Sequence, residues 1–123
     1  MVHIYINTAM ELVKVCLIGG ENDKKKWLNS ILGSSTNDEC IIGCEVHPYL
    51  FSTKDMVFNF WSIHNMEDGL AHGFTQSVDY YIVFDESHVK YTKGAKYVLY
   101  KWDEETNMIP LWSIYCDRME LVK

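Results

Sequence analysis

The sequence predicts an α/β fold: a mostly parallel sheet of five to six strands, one antiparallel edge strand, and helices on both faces. Three observations predict it. Short β-rich apolar runs alternate along the chain with segments of helical spacing. One pair of runs is separated only by Ser52-Thr53-Lys54-Asp55, the mark of a hairpin. No Pro/Gly/Ser linker, repeat or shift in composition divides the 123 residues, so 1–123 read as one domain.

Residues 1–11 form an N-terminal extension in which Val2 to Ile6 alternates apolar positions, an added strand or an expression remnant. Leu12 to Ile18 is β-rich and ends in Gly19-Gly20, a buried strand entering a loop. Asp23 caps a helix over Lys24 to Leu32, where Trp27, Leu28, Ile31 and Leu32 recur at helical spacing and Gly33 closes it. Ser34 to Glu39 is a polar loop. Cys44 to Phe51 and Met56 to Trp61 are the two arms of the hairpin, and Met66 to Ser77 is weakly helical. Tyr80 to Asp85 is a second buried strand, followed by a helix over Val89 to Glu105 that Asn107 breaks. Pro110 to Tyr115 is a third buried strand.

Composition narrows the function classes. With 11 basic against 17 acidic residues the net charge is −6, which argues against duplex nucleic acid as a partner. Apolar runs reach only about five residues, as in Tyr80 to Phe84, so no membrane span is expected. His3, Asn7 and Glu11 interrupt any signal-peptide core, so Cys16, Cys40, Cys44 and Cys116 are expected as reduced thiols in an intracellular, cytoplasmic or nuclear setting. Arg118 is the only Arg among those basic residues, a skew that fits an A/T-rich coding sequence.

The loop after the first strand is where a phosphate-binding G-x-x-x-x-G-K-[ST] pattern would sit. Gly19 fits its first Gly and Lys25 its Lys. Lys24 stands at the second Gly and Lys26 at the hydroxyl, so a long side chain obstructs the backbone cradle and an ammonium replaces a Mg²⁺ ligand. Glu21 and Asp23 add negative charge where phosphate would lie. The alternative reading is a charged loop capping a helix.

The stretch Gly43 to Trp61, GCEVHPYLFSTKDMVFNFW, resembles the Ran branch of the small Ras-like GTPases. Glu45-Val46-His47-Pro48 matches its E-V-H-P run, and Phe58-Asn59-Phe60-Trp61 the strand before D-T-A-G-Q. Gly69-Leu70 and Gly73-Phe74 are similar to its second switch helix, Phe84-Asp85 to the end of the next strand, and Ile109-Pro110-Leu111 to the strand before the guanine motif. The likeness covers Lys14 to Leu121 and implies a P-loop G domain with sheet order 2-3-1-4-5.

Against that pattern the catalytic positions are altered. The switch Thr falls on Ile41, the Mg²⁺-holding Asp on Ser62, the Gly of D-x-x-G on Asn65, and the Gln that orients water on Met66. The N-K-x-D motif becomes Asp117-Arg118-Met119-Glu120, after which the sequence stops, so the resemblance implies a truncated domain lacking the last strand and helix. Gly19, Lys25 and Asp117 are then vestiges of a nucleotide site, and neither GTP, GDP nor Mg²⁺ is expected to be held tightly.

The resemblance with these losses implies a pseudo-GTPase that binds protein partners of Ran through Glu45, Val46, His47, Pro48 and Trp61. It would act as a decoy or adaptor, in keeping with a captured viral or parasite-borne gene. The alternatives are a weak or atypical GTP-binding protein or hydrolase, and a structural homodimer using the fold as scaffold. A bare strand at Leu111 to Tyr115 would need covering, either by Val2 to Ile6 or by a second copy.

Other constellations are weaker. Cys40, Cys44 and His47 have partial zinc spacing but no visible fourth ligand, against ordinary buried thiols. Cys44 with His47 or His64 lacks an oxyanion context. His64 and His72 read as solvent-facing, Lys24 to Lys26 as a solvated helix start, and Trp61, Trp102 and Trp112 as core, with Trp27 undecided.

Overall fold

The computed structural model describes residues 11–33, 43–51, 56–67 and 69–121. Side-chain alternation builds the sheet. In β1, Glu11–Ile18, the side chains of Val13, Val15 and Leu17 enter one core while Cys16 and Ile18 enter another. Strand β3, Met56–Ile63, runs parallel beside it, and β2, Cys44–Leu50, pairs antiparallel with β3 as the expected hairpin. On the other side of β1 lie β4, Tyr80–Val83, and β5, Tyr97–Leu99, both parallel. The five-stranded order is β2-β3-β1-β4-β5, an α/β sheet with one antiparallel pair. That order is compatible with a G domain without being specific to one.

Helices lie on both faces. Helix α1, Glu21–Leu32, and helix α3, Ile109–Leu121, share a core in which Trp27, Leu28, Leu111 and Ile114 meet Val13, Val15, Phe58 and Phe60. The Trp27 indole N–H donates to the Asn107 carbonyl at 2.7 Å, so this tryptophan is a fully satisfied core residue. The opposite core joins Cys16, Ile18, Ile63, Tyr81 and Val83 to Ala71 of the short helix α2, Gly69–Phe74. Trp112, expected inside, is 46% exposed. Among the described residues no helix is long and apolar enough to cross a membrane.

Two expectations are overturned in the C-terminal third. The helix expected over Val89 to Glu105 is a 3-10 segment, Glu86–Thr92, followed by β5 and a second 3-10 turn at Glu104–Thr106. Lys93 and Gly94 both adopt positive φ, which no helix continues through. The strand expected over Pro110 to Tyr115 is the first half of α3. Pro110 sits in the first turn, where a missing N–H is harmless, and Leu111 and Ile114 recur at helical spacing against the core. The bare strand at Leu111 to Tyr115 therefore does not exist, and α3 covers the sheet face itself. Val2 to Ile6, the proposed alternative cover, lies outside the described residues, as do Ser34 to Glu39 and the hairpin turn Ser52 to Asp55.

Candidate functional site

In an open α/β sheet, ligands bind outside the carboxyl ends of the strands where the strand order reverses. Here that point lies at the ends of β1, β3 and β4, next to the start of α1. The connection from β1 to α1 consists of Gly19 and Gly20 alone, and Glu21 already belongs to the helix. A Cβ on Gly20 would stand 2.9 Å from the Phe84 Cβ, and its φ of +50° is left-handed, so the turn is held tight against β4.

This corrects the expected cap at Asp23: α1 already begins at Glu21, and its N-cap is Gly20. Lys24 and Lys25 lie inside α1, and the Lys24 amide donates to the Gly20 carbonyl at 2.8 Å instead of facing a ligand. Glu21 and Asp23 sit in the first turn and occupy the positive end of the helix dipole. The Lys24 side chain turns inward and is 2% exposed. Its ammonium donates to the Ile63 carbonyl and to Glu21, each at 2.8 Å. Burial pulls its pKa below the ordinary lysine value, with Glu21 acting in the other direction. The second Glu21 oxygen lies 3.5 Å from His64 Nδ1, while His64 Nε2 is buried with no partner among the described residues. An intramolecular cation paired with a carboxylate thus fills the end of β3.

The remaining expected residues do not converge there. Asp117 lies on α3 and accepts hydrogen bonds from Tyr80 and Lys96, next to Arg118, which pairs with Glu11 and Asp79. Glu11 and Tyr80 are the first residues of their strands, so this cluster marks the amino end of the sheet, opposite Gly19. Tyr80 and Lys96 together hold the Asp117 carboxyl below its usual range. Ser62 is buried, Asn65 accepts the Glu67 amide in a local turn, and Met66 packs against the α2-side core. Ile41 and Cys40 lie outside the described residues.

The five partner-binding candidates divide by strand alternation. Glu45 and His47 share the α1 side of the sheet and approach each other at 3.4 Å. Val46 and Pro48 point to the other side, where Trp61 is opposite Val46 in the register. Cys44 also lies on that side, so Cys44 and His47 cannot join one metal site, and no group of three ligands forms among the described residues. Cys16, Cys44 and Cys116 are free thiols. Burial raises Cys16 to about 12 and Cys44 to about 11, so both stay protonated and unreactive at neutral pH.

One feature escaped sequence reasoning. Directly after β5 come Tyr100-Lys101-Trp102-Asp103, whose Lys and Asp have the spacing of an N-K-x-D pattern. Its signal in the sequence is K-x-D after a β-rich Val-Leu, which the helix expected over Val89 to Glu105 hides. Lys101, Tyr100 and Leu99 line a cavity of about 440 Å³ with Gly20, Asp23, Phe84, Asp85 and Glu86. Its rim holds Asp23, Asp85 and Glu86 against the single ammonium of Lys101. Hydrogen bonds from Ser87 keep the Asp85 carboxyl below its usual range, so the rim is anionic. Asp103 caps the following 3-10 turn by accepting the Glu105 amide. No family model and no curated protein matches the chain.

Proposed function

We propose that the chain is a degenerate Ran-like G domain, a pseudo-GTPase that binds protein partners of Ran and holds neither GTP nor GDP tightly. The observation that carries this reading is the crevice at the end of β1: two glycines in place of a phosphate cradle, with the Lys24 ammonium tied to Ile63 and Glu21. Phosphoryl transfer needs amides, a metal and a positioned water around the phosphates. Here the helix start presents Glu21 and Asp23 instead. The sheet order and the E-V-H-P run of β2 support the Ran-like part of the reading. The expectation of a homodimer loses its premise, since it rested on the strand that proves to be α3.

A second reading, weak nucleotide binding, is favoured by Lys101 beside its cavity. The three carboxylates on the same rim oppose it by repelling phosphates. Isothermal titration of the chain with a Ran-binding transport receptor or Ran regulator tests the leading reading. Saturable heat is expected with at least one of them, and no heat with any would overturn it.

A further inference from the structure

Among the described residues, the α2 side of the sheet is only half covered. Helix α2 has six residues, about 9 Å of helix, whereas β1 has eight residues and spans about 26 Å. Strand register places Leu12, Lys14 and Cys16 of β1 beside Val57, Asn59 and Trp61 of β3, and those beside Leu50, Pro48 and Val46 of β2. Cys16 is buried towards α2, but Leu12 is 63%, Val46 46% and Leu50 49% exposed. Three adjacent strands thus present a continuous, mostly apolar surface. Such a surface is small, and its shape and charge decide what it can receive.

The edge beside this patch is interrupted at its centre for strand pairing. The His64 amide donates to Gly43 and the Phe51 amide to Met56, so the odd-numbered residues of β2 bond to β3. Val46, Pro48 and Leu50 therefore aim their backbone groups outward. Pro48 has no N–H to give and removes the central donor of that edge. Strand addition along β2 would therefore lack its central hydrogen bond, which favours the face over the edge.

Size and charge identify the occupant. Three strands at their usual spacing, over four or five residues, give a patch of roughly 250 Å². That is well below the ~800 Å² per partner of a standard protein interface, so the patch alone does not sustain a dimer of this chain. It matches the footprint of one helix about 10 Å wide. On this face of β1 to β3, among the described residues, Lys14 is the single charged side chain. Its ammonium lies 3.9 Å from the Trp61 ring centroid and donates to the Gln76 carbonyl, which holds it at the middle of the patch.

We propose that this face, formed by Leu12, Lys14, Val46, Leu50, Val57 and Trp61, receives one amphipathic helix of a partner protein, with a carboxylate set against the Lys14 ammonium. The inference rests on the partner-binding reading and names the kind of segment that is bound. The probe is a synthetic helical peptide of about 14 residues with Leu at i, i+3, i+4 and i+7 and one Glu on that face. It is titrated into the full chain while amide NMR shifts are recorded. Saturable shifts confined to these strands are expected, abolished by Leu50→Lys or Val46→Lys in the chain. Replacing the peptide Glu by Lys should weaken binding roughly tenfold. No saturation up to millimolar peptide, or shifts that survive both variants, would overturn the proposal. Shifts of the same residues with protein concentration alone, accompanied by a dimer in sedimentation, would give the face to a second copy and overturn it as well. A Ran-binding protein that still binds Leu50→Lys but not His47→Ala would refute the helix site and leave the partner-binding reading standing. Peptide binding with no Ran-binding protein bound would do the reverse.

Discussion

At the scale of single residues, Gly20 and Cys16 show how tightly local geometry is set. Gly20 has a φ of +50° and no room for a Cβ beside Phe84, whereas Gly33, with φ +70°, has nothing within 4 Å. Gly20→Ala should therefore cost more than the ~1 kcal/mol expected of Gly33→Ala from backbone conformation alone, and about twice as much or more. Chemical denaturation of the two variants checks this, and equal losses would contradict the tight turn. Cys16 makes a pH prediction. Burial raises its thiol to about 12, with the nearby Lys14 ammonium acting in the opposite direction. Its stability contribution is fully present below the ordinary value of 9.0 and is lost as pH rises towards about 12, because the unfolded chain releases a proton the folded one keeps. The loss is roughly 1 kcal/mol per pH unit in that window. Cys16→Ala should flatten the alkaline fall in denaturation midpoint, and an unchanged slope would contradict the assignment. Both residues were visible in the sequence as glycine after a strand and as a thiol within an apolar run. Their strain and burial were not, because these depend on Phe84 and Phe74, which are distant in sequence.

At the scale of elements, local pattern served where one face of an element decides its periodicity. Val13, Val15 and Leu17 alternate, the two hairpin arms stand only four polar-rich residues apart in sequence, and Trp27, Leu28 and Ile31 mark α1. It failed where the largely apolar run Pro110 to Tyr115 fits a buried strand and a helix equally well. Only packing against Trp27 and Phe51 selects the helix. It failed again over Tyr97 to Lys101, where three residues gain a strand's hydrogen bonds only because β4 lies alongside. The candidate site was distorted by the same errors. Asp117 is expected in a loop after a strand that does not exist, and Asp23 as the cap of a helix that already begins at Glu21. An element-scale prediction follows from β2. Pro48→Val restores an outward N–H at the centre of an edge strand and should promote self-association that grows with concentration in sedimentation velocity. A variant no more associated than the parent chain would show that Pro48 does not guard this edge.

At the scale of the whole molecule, the α1 face is closed by α1 and α3 together, and among the described residues the opposite face is left half open beneath a six-residue α2. At the carboxyl end of the sheet the end of β3 is filled from within by Lys24, Glu21 and His64, and the cavity beside β4 and β5 carries an anionic rim. The open surface therefore lies at the strands that carry the E-V-H-P run, away from the place where such sheets bind small ligands. That division is the core of the proposal that the fold binds proteins and no longer handles a nucleotide. Fluorescence titration of the full chain with mant-GDP and mant-GTP, with and without Mg²⁺, tests it most directly. The proposal predicts no saturable signal up to high micromolar nucleotide in either condition. Saturable Mg²⁺-dependent binding at or below micromolar nucleotide would contradict it.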